Sequence, residues 1–188
     1  MTPTTVSQNG INLVKKFEGL HKVTEDGEVR AYRCPAGRWT IGYGHCKGVK
    51  SGMRVPESEC LKLLTEDLND AGAVVKRYVS VPLNQQQFDA LVSFVFNIGG
   101  GANFQNSTLL KKLNQGLYDE VPEQIMRWNK ARVEGNLKPL RGLTRRRTAE
   151  AALFGYSESI KYVFLAASLA GVALVTYARV KDSKEGVR

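Results

Sequence analysis

Apolar residues recur at helical spacing from Ile11 through Val14 to Phe17, which predicts an amphipathic first helix ending at Glu18, with Ser7 or Asn9 as its cap. Between Glu18 and Thr40 two turn signals, Glu25-Asp26-Gly27 and Cys34-Pro35-Ala36-Gly37, bracket short β-prone runs, so hairpins forming a small sheet are expected. Alternation from Trp39 to His45 predicts a strand with Thr40, Gly42 and Gly44 on one face and Trp39, Ile41 and Tyr43 on the other. Pro56 suits a first helical position, and Cys60, Leu61, Leu64, Leu68, Ala71, Val75 and Tyr78 mark one face of a long helix joining a β-bearing lobe to a helical lobe. Asn84 and Gln87 form a capping-box pattern opening Gln85–Ile98, whose nearly continuous apolar character predicts the buried centre of the second lobe. Gly99 to Gly101 end it. Ser107 or Thr108 starts a short helix over Leu109–Leu113, another is expected from about Tyr118 to Trp128, and Ala131–Gly142 is expected to be a loop skirting a cleft. Thr144 is placed as the cap of a last helix, Arg145–Phe154.

Beyond Phe154 the pattern changes. Tyr162 to Ala178 is a 17-residue run without a charge, flanked by Lys161, Arg179 and Lys181, with Tyr162 and Tyr177 near its ends. That length is at the low limit for a spanning helix, and the flanks suit interfacial anchoring. The chain is therefore divided into a domain at 1–155, a linker at 156–161, a transmembrane helix at 162–178 and a basic tail at 179–188. Ala167 and Gly171 make a small-xxx-small pair, from which weak self-association is expected. Arg179, Lys181, Lys184 and Arg188 outweigh Lys161, which favours a cytoplasmic tail. The N-terminus has neither a basic n-region nor an apolar h-region, so no signal peptide is expected. Retention inside until the membrane is breached, or anchoring in a virion membrane, are the alternative placements.

Composition narrows the partners. Of 188 residues 43% are hydrophobic and 24% charged, which excludes a disordered chain, and the formal net charge of +9 favours anionic polymers and surfaces. No nucleic-acid motif is present and the bases are scattered apart from Arg145 to Arg147, so a cell-envelope polymer is expected and nucleic acid is not. With two histidines and no Cys-x-x-Cys, neither metal nor cofactor is expected. Cys34, Cys46 and Cys60 are expected reduced; in an oxidising compartment Cys46–Cys60, or an inhibitory Cys34–Cys46, are the alternative bridges.

The candidate chemistry starts at Glu18. The negative end of a helix dipole disfavours a further negative charge, which suits a carboxyl that must hold a proton. The order EGL, AY, WTIGYGH, KGVKSGM, then VPLNQQQFDALVSFVFNIG, NSTLLKKLN, RWNK and GLTRRRTAEAALF resembles the T4-type phage lysozymes, glycoside hydrolase family 24, over about Ile11 to Phe154. The resemblance implies a mainly helical α+β, two-lobed lysozyme fold and a muramidase that cleaves peptidoglycan glycan strands. It implies that Glu18 is the acid and that Arg145 or Arg146 pairs with it. The second acid usual six positions before Thr40 is replaced by Cys34, and His21 to Ala31 is longer than usual by roughly a hairpin turn. Cys34 as a thiolate, with Thr40 positioning water, is the expected substitute; Asp26 or Glu25 is the alternative. Gln105, Asn106 and Phe104 match a cleft-lining region and are expected to contact sugar, with His45 nearby as a structural or substrate-side residue.

The expected reaction is hydrolysis of the β-1,4 bond between N-acetylmuramic acid and N-acetylglucosamine. Lytic transglycosylation of the same substrate, and a catalytically inactive membrane-anchored peptidoglycan binder, are the alternatives.

Overall fold

The computed structural model describes residues 3–34 and 36–155. Tyr162–Ala178, where a transmembrane helix is expected, lies outside them; among the described residues no helix is long and apolar enough to cross a membrane.

Helix α1 spans Gln8–Glu18, with Ser7 as the N-cap. Asp89 fastens this end to the body of the protein: its carboxylate accepts the Ser7 amide at 2.9 Å and the Ser7 hydroxyl, and takes a further bond from Gln85 at 2.9 Å. The strands that follow are β1 (Glu28–Arg30), β2 (Tyr32–Arg33), β3 (Trp39–Thr40) and β4 (Arg54–Pro56). They do not form the single sheet expected. β1 pairs antiparallel with β4 and β2 with β3, as separate two-stranded ladders, while the first turn is closed by a bridge from Val23 to Val29.

The expected strand from Trp39 to His45 is also cut short. Past β3 the chain turns back on itself, with Ile41 and His45 exchanging backbone hydrogen bonds at 2.8 and 3.1 Å across Gly42 and Gly44. Gly42 has a φ of 61°, and a Cβ there would lie 2.9 Å from both Cβ and Sγ of the buried Cys60. Left-handed backbone and a filled space both demand glycine. We expect Gly42→Ala to destabilise the protein by about 3 kcal/mol, read from urea unfolding midpoints. A loss under 1 kcal/mol would mean that the turn relaxes away from α2.

α2 (Glu57–Tyr78) starts after Pro56, which is the N-cap residue and not the first helical one, and buries the face containing Cys60, Leu64, Leu68, Ala71 and Val75. α3 (Gln85–Ile98) has the complete Asn84–Gln87 capping box and stops at left-handed Gly99. It is the most buried helix of the body, with Phe88, Leu91 and Val92 fully enclosed. Each such side chain contributes roughly 1.5–3 kcal/mol of burial free energy. The core runs without interruption from Val29 and Val55 beneath the strands to Phe88 and Phe154, so the β-bearing region and the helices share it.

Short helices α4 (Ala102–Gln105), α5 (Thr108–Asn114) and α6 (Val121–Met126) follow, Ser107 capping α5 and a 3₁₀ turn at Tyr118–Glu120 preceding α6. The segment expected to be a loop forms a hairpin instead, β5 (Lys130–Val133) with β6 (Asn136–Pro139). Its turn residues Glu134 and Gly135 both have positive φ, 50° and 81°, as a two-residue type I′ turn requires. α7 (Arg141–Phe154) begins four residues before the predicted start. Thr144 lies inside it, because its hydroxyl donates backwards to Leu140 O at 3.0 Å and does not cap.

Candidate active site

Gly19, with a φ of 69°, lets the chain leave α1 sharply while its amide still donates to Lys15 O. Glu18 is thereby the last helical residue, its side chain 23% exposed. One carboxylate oxygen, Oε1, accepts from Arg146 Nη1. The other, Oε2, faces the turn after β3, where a Cβ on Gly44 would be 3.6 Å away. The absence of a side chain at Gly44 keeps that oxygen open. His21 returns to the same helix end, its ring bonded to Glu18 O at 2.8 Å, and meets Tyr32 edge-on at 5.8 Å between centroids.

Glu18 lies where two clefts meet. One, of about 520 Å³, is lined by Gly44, Cys46, Lys47, Asp67, Asp70 and the end of α3 around Asn97 and Gly99. The other, of about 480 Å³, is lined by Lys16, Phe17, Leu140, Leu143 and Arg145. The two clefts share Glu18 and Asn97 in their linings, so the carboxyl is open to both.

Tyr32 stands opposite Thr40 in the β2–β3 register. Burial pushes its phenol up, and the negative charges of Cys34 and Glu18 push the same way, so these groups share one electrostatic neighbourhood. The backbone amide of Arg38 holds the Cys34 thiol below the ordinary thiol range, aided by the Thr40 hydroxyl and the Ala36 amide and opposed by desolvation. Thr40 is buried, and its single hydroxyl proton is within reach of Arg38 O at 3.2 Å as the alternative to the Cys34 sulfur. Tyr32 thus feels both Glu18 and Cys34, but Cys34 and Thr40 line neither of the two clefts at Glu18. Glu25 and Asp26 line a separate groove with Lys22, Arg30 and Arg54.

Other expectations give way. Phe104 is fully buried, edge-on to Phe94 at 6.5 Å, and cannot stack on a sugar. Gln105 and Asn106 are exposed at the end of α4 but line neither cleft at Glu18. His45 has both ring nitrogens engaged, Nδ1 by Asp67 at 2.9 Å and Nε2 by Lys47 O at 2.9 Å, so it braces the turn and has no ring nitrogen for substrate. The cysteines are free as expected, with neither alternative bridge formed and Cys60 sealed beneath Gly42.

Of the three consecutive arginines, Arg146 is the partner of Glu18, Arg145 stays at the surface, and Arg147 turns into the core, where burial pushes it down to about 10. Sequence reasoning missed what lies behind them. Glu150, fully buried, takes Arg146 Nε at 3.0 Å and Ser93 Oγ at 2.7 Å on one oxygen, with Arg147 Nε 3.1 Å from the other. Spacings of three and four residues from two arginines on one helix were the available signal.

A carboxyl held between a buried guanidinium and a glycine turn, open to two clefts on a mainly helical frame, defines a glycoside hydrolase of the lysozyme type. The family model described as phage lysozyme matches residues 15–150. The endolysin of Acyrthosiphon pisum secondary endosymbiont phage 1 is 44% identical over 149 residues, 79% of this chain and 97% of that one. The SAR-endolysin of Escherichia phage Mu is 40% identical over 123 residues, 65% of this chain and 69% of that one. Among solved structures, the muramidase domain of SpmX from Asticaccaulis excentricus superposes with a TM-score of 0.73 at 39% identity, covering 81% of this chain and 98% of that one. The chain belongs to the phage lysozyme family, and peptidoglycan is its substrate.

Proposed function

We propose that the protein hydrolyses the β-1,4 bond between N-acetylmuramic acid and N-acetylglucosamine, with Glu18 as the proton donor. The observation that carries this reading is the division of labour within one carboxyl: Oε1 is tied to Arg146 while Oε2 faces the cleft across Gly44. Protonated Glu18 gives its proton to the leaving glycosidic oxygen. The positive charge that develops on the sugar is stabilised by Cys34 as a thiolate, Thr40 orients the attacking water, and the proton which that water sheds passes to solvent, from which Glu18 regains its own. Gly44 lets the glycan approach the backbone of the turn.

A lytic transglycosylase is the second reading, supported by the thiol where a second carboxylate is usual. Products from purified peptidoglycan decide by mass: hydrolysis leaves reducing muramic ends, and transglycosylation leaves 1,6-anhydro ends lighter by one water. We expect reducing ends, a fall in rate of about 10–100-fold in Cys34→Ala, and recovery in Cys34→Asp. Anhydro ends, or a Cys34→Ala variant as active as the unsubstituted protein, would refute the assignment of Cys34 to hydrolysis. Wall binding without any product would support the inactive-binder reading instead.

The enzyme acts on the periplasmic wall while tethered through residues 162–178. This placement is supported by the uncharged run flanked by tyrosines and bases, and by the SAR-endolysin name of the phage Mu relative. Protease protection in sealed vesicles tests it: the lysozyme domain is expected outside and the basic tail inside.

A further inference from the structure

We infer that Glu150 is a positioning residue for the glycosidase reaction, balancing the two buried arginines so that Arg146 holds the Glu18 carboxyl without overcharging it. This rests on the reading of Glu18 as proton donor. Arg146 is fixed at three points: Nε by Glu150 at 3.0 Å, Nη2 by Ser93 O at 3.3 Å, and Nη1 by Glu18. Its guanidinium plane is thus set from behind, and the one edge left over faces the site. Arg147, alongside, bonds Asn97 through Nη2 and covers the Phe94 ring at 4.9 Å.

Behind the site, Glu150 lies between Arg146 and Arg147, all three almost or entirely shut off from water. Glu18 also faces His21 at its own helix end and, along its clefts, Lys16, Arg38, Arg145, Lys47, Asp67 and Asp70, none of which is changed in the series below. Among the described residues, no other charged side chain is paired with Glu150. α3 contributes the neutral Ser93 and Asn97, and its only ionisable residue, Asp89, is occupied by Ser7 and Gln85. From α6 comes the neutral, buried Gln124, while Glu123 pairs with Arg127 at 2.8 Å on the surface. α1 contributes Glu18. On Glu150 itself burial pushes the carboxyl up and the two arginines pull it down.

Removing the Glu150 charge leaves an unmatched cation whose field reaches Glu18 through Arg146. A donor acid works only while protonated, and a positive field added behind it favours the ionised form, so the alkaline limb of the pH–rate profile moves to lower pH. The test is the pH–rate profile of the full-length protein on purified peptidoglycan. In Glu150→Gln, which keeps an acceptor for Arg146, the alkaline limb is expected to move down by about one pH unit; Glu150→Asp restores it. Arg147→Gln is expected to move the limb upward, and adding Glu150→Gln to it brings the limb back. The last two proteins differ only at position 150 and have no unmatched buried cation, so they read the effect even where Glu150→Gln alone fails to fold. Limbs that coincide across the series overturn the positioning role, whatever happens to the maximal rate. Glu18→Gln runs beside them: activity surviving that change overturns the proton-donor reading and this inference together, whereas coincident limbs with an inactive Glu18→Gln overturn this inference alone.

Discussion

Glu18→Gln is expected to lower the rate of glycan cleavage by about 1,000-fold while leaving the fold intact. The size follows from what is removed: a positioned general acid contributes roughly 100- to 10,000-fold, and an amide cannot supply its proton. The amide still presents an oxygen to Arg146, and Arg146 retains Glu150 and Ser93, so no buried group is abandoned. Turbidity clearance of purified walls, paired with circular dichroism, measures both halves of the claim. A variant that retains a tenth of the activity would remove Glu18 from the chemistry.

Arg146→Met is expected to have the largest effect on stability. Arg146 is 3% exposed and serves two carboxylates from opposite edges. Methionine approximates its stem but leaves Glu150 with one cation in place of two and Glu18 with none. Breaking a buried ion pair from one side costs about 3–5 kcal/mol. For a domain of this size each kcal/mol lowers Tm by roughly 2–4 °C, so a fall of about 10 °C is expected near neutral pH. The sign of the pH dependence is fixed too. Losing Arg146 raises the folded-state affinity of Glu150 for a proton, on top of what burial already does. The deficit therefore narrows as pH falls and Glu150 becomes neutral. Thermal unfolding within 3 °C of the unsubstituted protein would mean that Arg147 alone satisfies Glu150.

What could be read from the chain was local. The end of α1 at Glu18, the apolar face of α2 and the Asn84–Gln87 cap follow from spacing and from side chains that bond their own backbone neighbours. Features set by distant partners were hidden. Lys130–Val133 and Asn136–Pro139 have no buried face, so no alternation marks them, and only Glu134-Gly135 hinted at the hairpin. Phe104 looked like a cleft aromatic, but α4 is too short to have a readable face, and the ring turns inward to Phe94. His45 finds Asp67 from another element, and nothing near either residue announces the pair. Glu150, in a run of alanines and a leucine, looks like an ordinary polar position of a helix until two arginines are seen to meet it.

The fastening of α1 at Ser7 has a mechanical meaning. Eleven residues make a rod of about 16 Å, with Asp89 gripping one end and Glu18 at the other. A tilt of about 5° at the gripped end would swing the tip by roughly 1.4 Å, which is enough to spoil an alignment that tolerates about an ångström. The grip and the receiving side are both built on α3, Asp89 at one point and Ser93 and Asn97 a turn or two further on. Errors in the position of that helix therefore move lever and target together, and the tolerance of the site is decided within one rigid part.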